Sequence, residues 1–83
     1  MRFTVVWTQF ALGQLANLWR QASDRHAVSD AADKVDPILR DDPDTKGIPL
    51  GRFCILEIVS LAFLYEVTPP DRLVRVLSVR RTP

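Results

Sequence analysis

Apolar and polar side chains alternate from Arg2 to Trp7, with Phe3, Val5 and Trp7 on one side, which is the period of a β-strand with one better-buried face. Thr8 ends this run and is a good helix N-cap. Behind it Ala11, Leu12, Leu15, Ala16 and Trp19 recur at spacings of three and four, so the pattern predicts a helix over residues 8–21. Ser23 or Asp24 can cap a second helix with the stripe Val28, Ala31, Ala32, Val35, Ile38 and Leu39, and the short link makes the two an antiparallel hairpin. Pro37 removes a backbone donor and crowds the preceding turn. A kink is therefore expected, with Asp36 capping a restarted turn that ends at Arg40. Residues 41–51 are rich in turn formers and read as the longest surface loop.

The last third is a run of β-branched and aromatic residues that reads as three strands. If Val59-Ser60 is a two-residue turn, Ile58 faces Leu61, Leu56 faces Phe63, Cys54 faces Tyr65 and Arg52 faces Val67. If residues 68–72 form a five-residue loop, Tyr65 faces Arg75, Phe63 faces Leu77 and Leu61 faces Val79. The first strand joins the same sheet, and the helices are expected on the face bearing Leu56, Phe63, Leu77 and Val79. The opposite face would carry Phe53, Ile55, Glu57, Ala62, Leu64, Glu66, Val74, Val76, Ser78 and Arg80 as a partly polar groove. Ile55, Leu64, Val74 and Val76 are its candidate partner-binding residues. The order is β-α-α-β-β-β, an α+β fold in a single domain over residues 1–83.

Composition narrows the function without choosing it. The 83-residue chain is 47% apolar and 25% charged, as an ordinary globular domain is. A chain this short buries only about 60% of its unfolded surface, so it gains from a partner. A net charge of +1 lacks the footprint of a general nucleic-acid binder, although Arg72, Arg75, Arg80 and Arg81 gather near the C-terminus. One cysteine, Cys54, excludes an internal disulfide and a cysteine-based zinc site, which fits a reducing cytoplasm. No signal peptide and no membrane span are read: the apolar run over 53–67 is short and carries Glu57 and Glu66. His26 has no second histidine or nucleophile motif beside it, and Asp41, Asp42 and Asp44 lack the glycine and distal glutamate of a calcium loop. No metal and no cofactor are expected. Trp7 and Trp19 are read as core packing.

Several landmarks together resemble the RelE/ParE superfamily of bacterial type II toxin–antitoxin modules, the plasmid stabilisation protein family. They are Val5-Val6-Trp7-Thr8 with Ala11 and Leu15, then Ile38-Leu39-Arg40-Asp41-Asp42-Pro43, Leu64-Tyr65-Glu66-Val67, and Leu73-Val74-Arg75-Val76-Leu77-Ser78-Val79. The resemblance implies a toxin neutralised by a cognate antitoxin and acting on the ribosome, by mRNA cleavage, or on DNA gyrase. It also implies that Arg80, Arg81, Arg75 and Arg52 are candidates for binding phosphate or a target. This chain departs from the ribonuclease branch, which carries an arginine two residues before the Leu-Tyr pair, where Ala62 stands here. Glu57 lies on the same face. The alternative implied by these departures is a degenerate, noncatalytic member that serves as an antitoxin-binding or regulatory module.

Overall fold

The computed structural model describes residues 2–82. Its elements are β1 (Thr4–Trp7), α1 (Gln9–Gln21), α2 (Arg25–Leu39), α3 (Pro43–Lys46), β2 (Ile48–Leu50), β3 (Phe53–Ile58), β4 (Leu61–Thr68), a 3-10 turn (Pro69–Asp71) and β5 (Leu73–Arg81). Thr8 caps α1 as its residue type predicts, its hydroxyl accepting from the Ala11 amide at 3.2 Å, and Asp24 caps α2 through the Ala27 amide at 3.1 Å. The five strands form one mixed sheet in the order β1-β5-β4-β3-β2, with β1 parallel to β5 and all other pairs antiparallel. The fold is the expected α+β hairpin-on-sheet, with two elements more than the pattern showed.

Those two elements lie in the stretch read as a loop. Asp42 takes a left-handed conformation at φ 47°, Pro43 starts the short α3, and Ile48–Leu50 then adds to the β3 edge. Pro49 hid this strand from the pattern, yet an edge strand is where a proline is tolerated, since one side of it makes no ladder bonds. Gly47 sits between α3 and β2. A Cβ there would lie 2.5 Å from the Tyr65 hydroxyl and 2.9 Å from the Ile55 carbonyl oxygen, so only glycine lets the chain pass.

The expected break at Pro37 does not occur, and α2 runs through it to Leu39. Only a turn remains beyond the proline, so a single helical bond is lost, and Pro37 is exposed. Asp36, required as the restarting cap, is engaged elsewhere: its carboxylate accepts the Trp7 indole N–H at 3.1 Å and ties α2 to β1.

Ala11 from α1 and Val28, Ala31, Val35 and Leu39 from α2 close over Leu56, Leu61, Phe63, Tyr65, Val74, Val76 and Val79 of the sheet. Trp7 meets Phe63 edge to face at 5.9 Å between centroids. The α1 stripe is rotated from the expected one. Leu15, Leu18 and Ala22 follow Ala11 toward the core, while Leu12 and Trp19 are 50% and 41% exposed. Trp19 is thus corrected from a core residue to a surface one, covered by the Arg25 guanidinium 4.7 Å above its ring.

Candidate functional site

The β3–β4 hairpin has the expected register, Leu56 opposite Phe63 and Cys54 opposite Tyr65, around the turn at Val59-Ser60. Between β4 and β5 the register differs. Phe63 pairs with Val79 and Leu61 with Arg81, whereas Tyr65 pairs with Val76, because the ladder shifts between Leu64 and Tyr65 and leaves Leu77 as an extra residue. The bulge reverses the facing of the first half of β5. Val74 and Val76, expected on the open face as partner-binding residues, are fully buried in the core instead. Leu77, expected beneath the helices, is half-buried outside the core cluster.

What remains on the open face is set by the ladder. The strand pairs Ile55–Leu64, Glu57–Ala62, Ala62–Arg80, Leu64–Ser78 and Glu66–Arg75 share this side, joined by Ile48 and Leu50 from β2 and by Val6, which pairs with Arg75, from β1. Arg80 lines a hollow of about 310 Å³ with Ile48, Ile55, Glu57 and Ala62, and an adjoining one with Leu50, Leu64 and Ser78. Arg81, at the strand end, also borders a separate hollow formed with Ser23, Asp24 and Val59. Arg52 is held at the other end of the sheet, 3.6 Å from Glu66 and 5.1 Å over the Phe53 ring. Of the four arginines singled out from the sequence, Arg80 and Arg81 thus border the same 310 Å³ hollow, whereas Arg52 and Arg75 stand apart from it. Arg80 is the one that lines both depressions of the open face.

Such a surface can bind but has little with which to move a proton. A guanidinium offers bidentate donors to a phosphate or carboxylate. Cleavage of RNA would further need a group that titrates near neutrality, whereas the residues lining the hollow with Arg80 are Ile48, Ile55, Ala62, Thr82, a second arginine, Arg81, and the repelling carboxylate of Glu57. His26 is remote, exposed on α2 and 3.5 Å from Asp30. Among the described residues no group of three or more His, Cys, Asp or Glu side chains is placed to hold a metal ion, and no helix is long and apolar enough to cross a membrane.

A second depression escaped the sequence reading. On the outer side of the helical hairpin Leu12, Leu15, Ala16, Trp19, Val28 and Ala32 line an apolar groove of about 480 Å³. Its signal was present as a second stripe, Leu12-Ala16-Trp19, running beside the core-facing Ala11-Leu15-Leu18.

No family model matches the sequence, and no curated protein matches it. The fold has near neighbours among solved structures. The chain superposes on one from the toxin–antitoxin complex RelBE2 of Mycobacterium tuberculosis with a TM-score of 0.82 at 19% identity, covering 98% of this chain and 92% of that one. A chain of the chromosomal ParDE system from P. aeruginosa gives 0.79 at 17% identity, covering 99% and 98%. The isolated E. coli RelE toxin gives 0.66 at 15% identity, covering 100% and 86%. The architecture is thus the RelE/ParE-like toxin fold over its whole length.

Proposed function

We propose that this chain is the toxin component of a type II toxin–antitoxin module, held inactive by a small cognate antitoxin. The supporting observation is the likeness of the entire fold to the isolated E. coli RelE toxin and to chains of the RelBE2 and ParDE assemblies. A small core and two exposed apolar surfaces, the open sheet face and the helical groove, favour a life in complex. DNA gyrase and the ribosome are the two candidate targets, both reached from the cytoplasm.

The chemistry of the open face favours inhibition by binding. With Ala62 and Glu57 flanking Arg80, a phosphorane would find the Arg80 and Arg81 cations but no group that titrates near neutrality to move a proton, so codon-specific mRNA cleavage on stalled ribosomes is expected to stay at background. The same observation supports the second reading, a noncatalytic module that binds an antitoxin without poisoning the cell. Expression without the neighbouring short gene separates the two. Growth arrest that Arg80→Ala relieves supports the toxin; free tolerance of the protein supports the noncatalytic module. Removing the guanidinium should weaken target or antitoxin binding by about 1 to 3 kcal/mol, the scale of a charge-assisted hydrogen bond, as titration calorimetry would measure. Strong cleavage by the unaltered protein, lost in Arg80→Ala, would overturn the noncatalytic chemistry.

A further inference from the structure

We propose that the hollow beside Arg80 is a site for a guanosine 5′-phosphate, with Glu57 reading the base and Arg80 and Arg81 holding the phosphate. The inference rests on the open face being the working surface of the toxin reading, and names what that surface takes. The charged groups of the face divide into two sets. Glu66 lies 3.6 Å from Arg52 and opposite Arg75 in the ladder, so these three answer one another. Glu57, Arg80 and Arg81 border the hollow of about 310 Å³, and among the described residues none of them makes a salt bridge. Ala62 separates Glu57 from Arg80 in the ladder, which puts their backbones two strand spacings, about 10 Å, apart. Opposite charges thus stand across a gap that they do not close, lined between them by Ile48, Ile55 and Ala62.

The ligand follows from what each group can accept or donate. A carboxylate only accepts, so Glu57 is best met by two adjacent N–H donors. Guanine alone among the common bases presents such a pair on its Watson–Crick edge, N1–H beside the N2 amino group; adenine, cytosine and uracil each set an acceptor beside their donor. An arginine from a partner protein offers two donors as well, but it would bring a third cation beside Arg80 and Arg81. Guanine is uncharged, and its nucleotide carries at the far end a phosphate of about two negative charges, which two guanidinium groups match. The base would lie against the aliphatic Ile48 and Ile55, and the small Ala62 leaves room for the sugar between the two ends. The hollow is near the lower end of ligand-site volumes, so the expected binding is weak. The carboxylate that repels an unselective phosphate chain then selects one base.

Equilibrium dialysis of the unaltered chain at low salt against 5′-GMP, 5′-IMP and 5′-AMP tests this. GMP should bind best. AMP, which turns an acceptor toward Glu57, should bind at least about tenfold more weakly, because a site built for a donor pair rejects a base that lacks it. IMP lacks only the N2 amino group and should fall between them. Glu57→Gln should bring GMP and AMP to within about threefold of each other, whereas Arg80→Ala should weaken both about tenfold and keep their ratio. Both side chains are exposed, and circular dichroism checks that each variant is folded. The RNA hexamers UUGUUU and UUAUUU separate the two sources of the ligand. Tighter binding of the first hexamer than of GMP assigns the site to a guanosine within RNA; GMP binding with no preference between hexamers assigns it to the free nucleotide. Equal affinity for GMP and AMP overturns the proposal, as does a preference for GMP that survives Glu57→Gln. So does the failure of both GMP and the guanosine hexamer to bind at millimolar concentration. Growth arrest is scored separately: arrest without guanine selectivity keeps the toxin reading and removes this site, and selectivity without arrest does the reverse.

Discussion

Tyr65 is the residue around which the small core closes. It is fully buried, its hydroxyl donates to the Pro43 carbonyl at 2.6 Å, and Gly47 leaves the space in which that hydroxyl sits. Burial first, then the neighbouring Cys54 thiol and Asp44, raise its phenol well above the ordinary value. The folded state thus keeps the proton longer than the unfolded chain does. Its contribution to stability is fully present below the unfolded pKa of about 10 and is lost as pH rises above it, because the unfolded chain ionises first. Tyr65→Phe should cost about 1 to 3 kcal/mol at neutral pH, by urea unfolding, since the Pro43 carbonyl loses its buried donor. The variant should also lose the steep decline above pH 10 that the unaltered chain shows. As Tyr65 is the chain's single tyrosine, ultraviolet titration reports its ionisation alone, and a normal phenol value in the folded protein would refute the account.

At the scale of elements, the tight turn between β3 and β4 carries a conflict. Val59 adopts φ 57°, a left-handed conformation that crowds a β-branched side chain, and at 77% exposure it gains little packing in return. The turn persists because the hairpin register on both sides is fixed by core residues and because the Thr82 amide donates to the Ser60 carbonyl at 2.8 Å, fastening the turn to the end of β5. Val59→Gly should raise stability by about 1 kcal/mol and leave the fold unchanged, visible as a shift in the urea midpoint without a change in slope. A loss of stability would mean that Val59 packs more than its exposure indicates. The starts of α1 and α2, in contrast, contain no conflict. Thr8 and Asp24 each occupy the cap that their residue type favours, and the Arg25 guanidinium closes the α1 C-terminus by donating to the Trp19 and Arg20 carbonyls at 3.2 and 3.3 Å.

For the whole molecule, one layer of helices on one sheet leaves the other side of the sheet open. Among the described residues the buried apolar side chains lie in that single cluster, apart from Ala62 on the open face and Pro43 of α3, and Phe63 packs within it against Trp7. Phe63→Ala should cost about 3 to 5 kcal/mol, a large share of what so small a domain holds, so the variant should be largely unfolded alone by circular dichroism. Addition of a binding antitoxin should recover it by mass action. A variant that stays folded with a nearly unchanged melting temperature would place the centre of the core elsewhere.

Much of this architecture was written in local patterns: alternation gave β1 and the β3–β4 hairpin, capping residues gave both helix starts, and the order of elements gave the α+β class. These features depend on neighbours a few residues apart, where periodicity and cap chemistry act. The register of β5 was not legible in this way, and with it went the assignment of Val74, Val76 and Leu77 to their faces. Each alternation of that strand carries an arginine, Arg75 in one and Arg80 in the other, so no unbroken facing keeps both out of the core and the alternation by itself names neither side. The choice is made at the bulge by α1, some sixty residues away in sequence. There the Gln14 side-chain oxygen accepts the Val79 amide at 2.7 Å, and the Thr8 amide and hydroxyl each donate to the Val76 carbonyl at 3.1 Å. Backbone groups released by a bulge must find partners, and only the folded chain brings Thr8 and Gln14 to supply them. The same tertiary choice decides the candidate site, since it sends Val74 and Val76 inward and leaves Arg75, Ser78 and Arg80 on the open face beside Glu57 and Glu66.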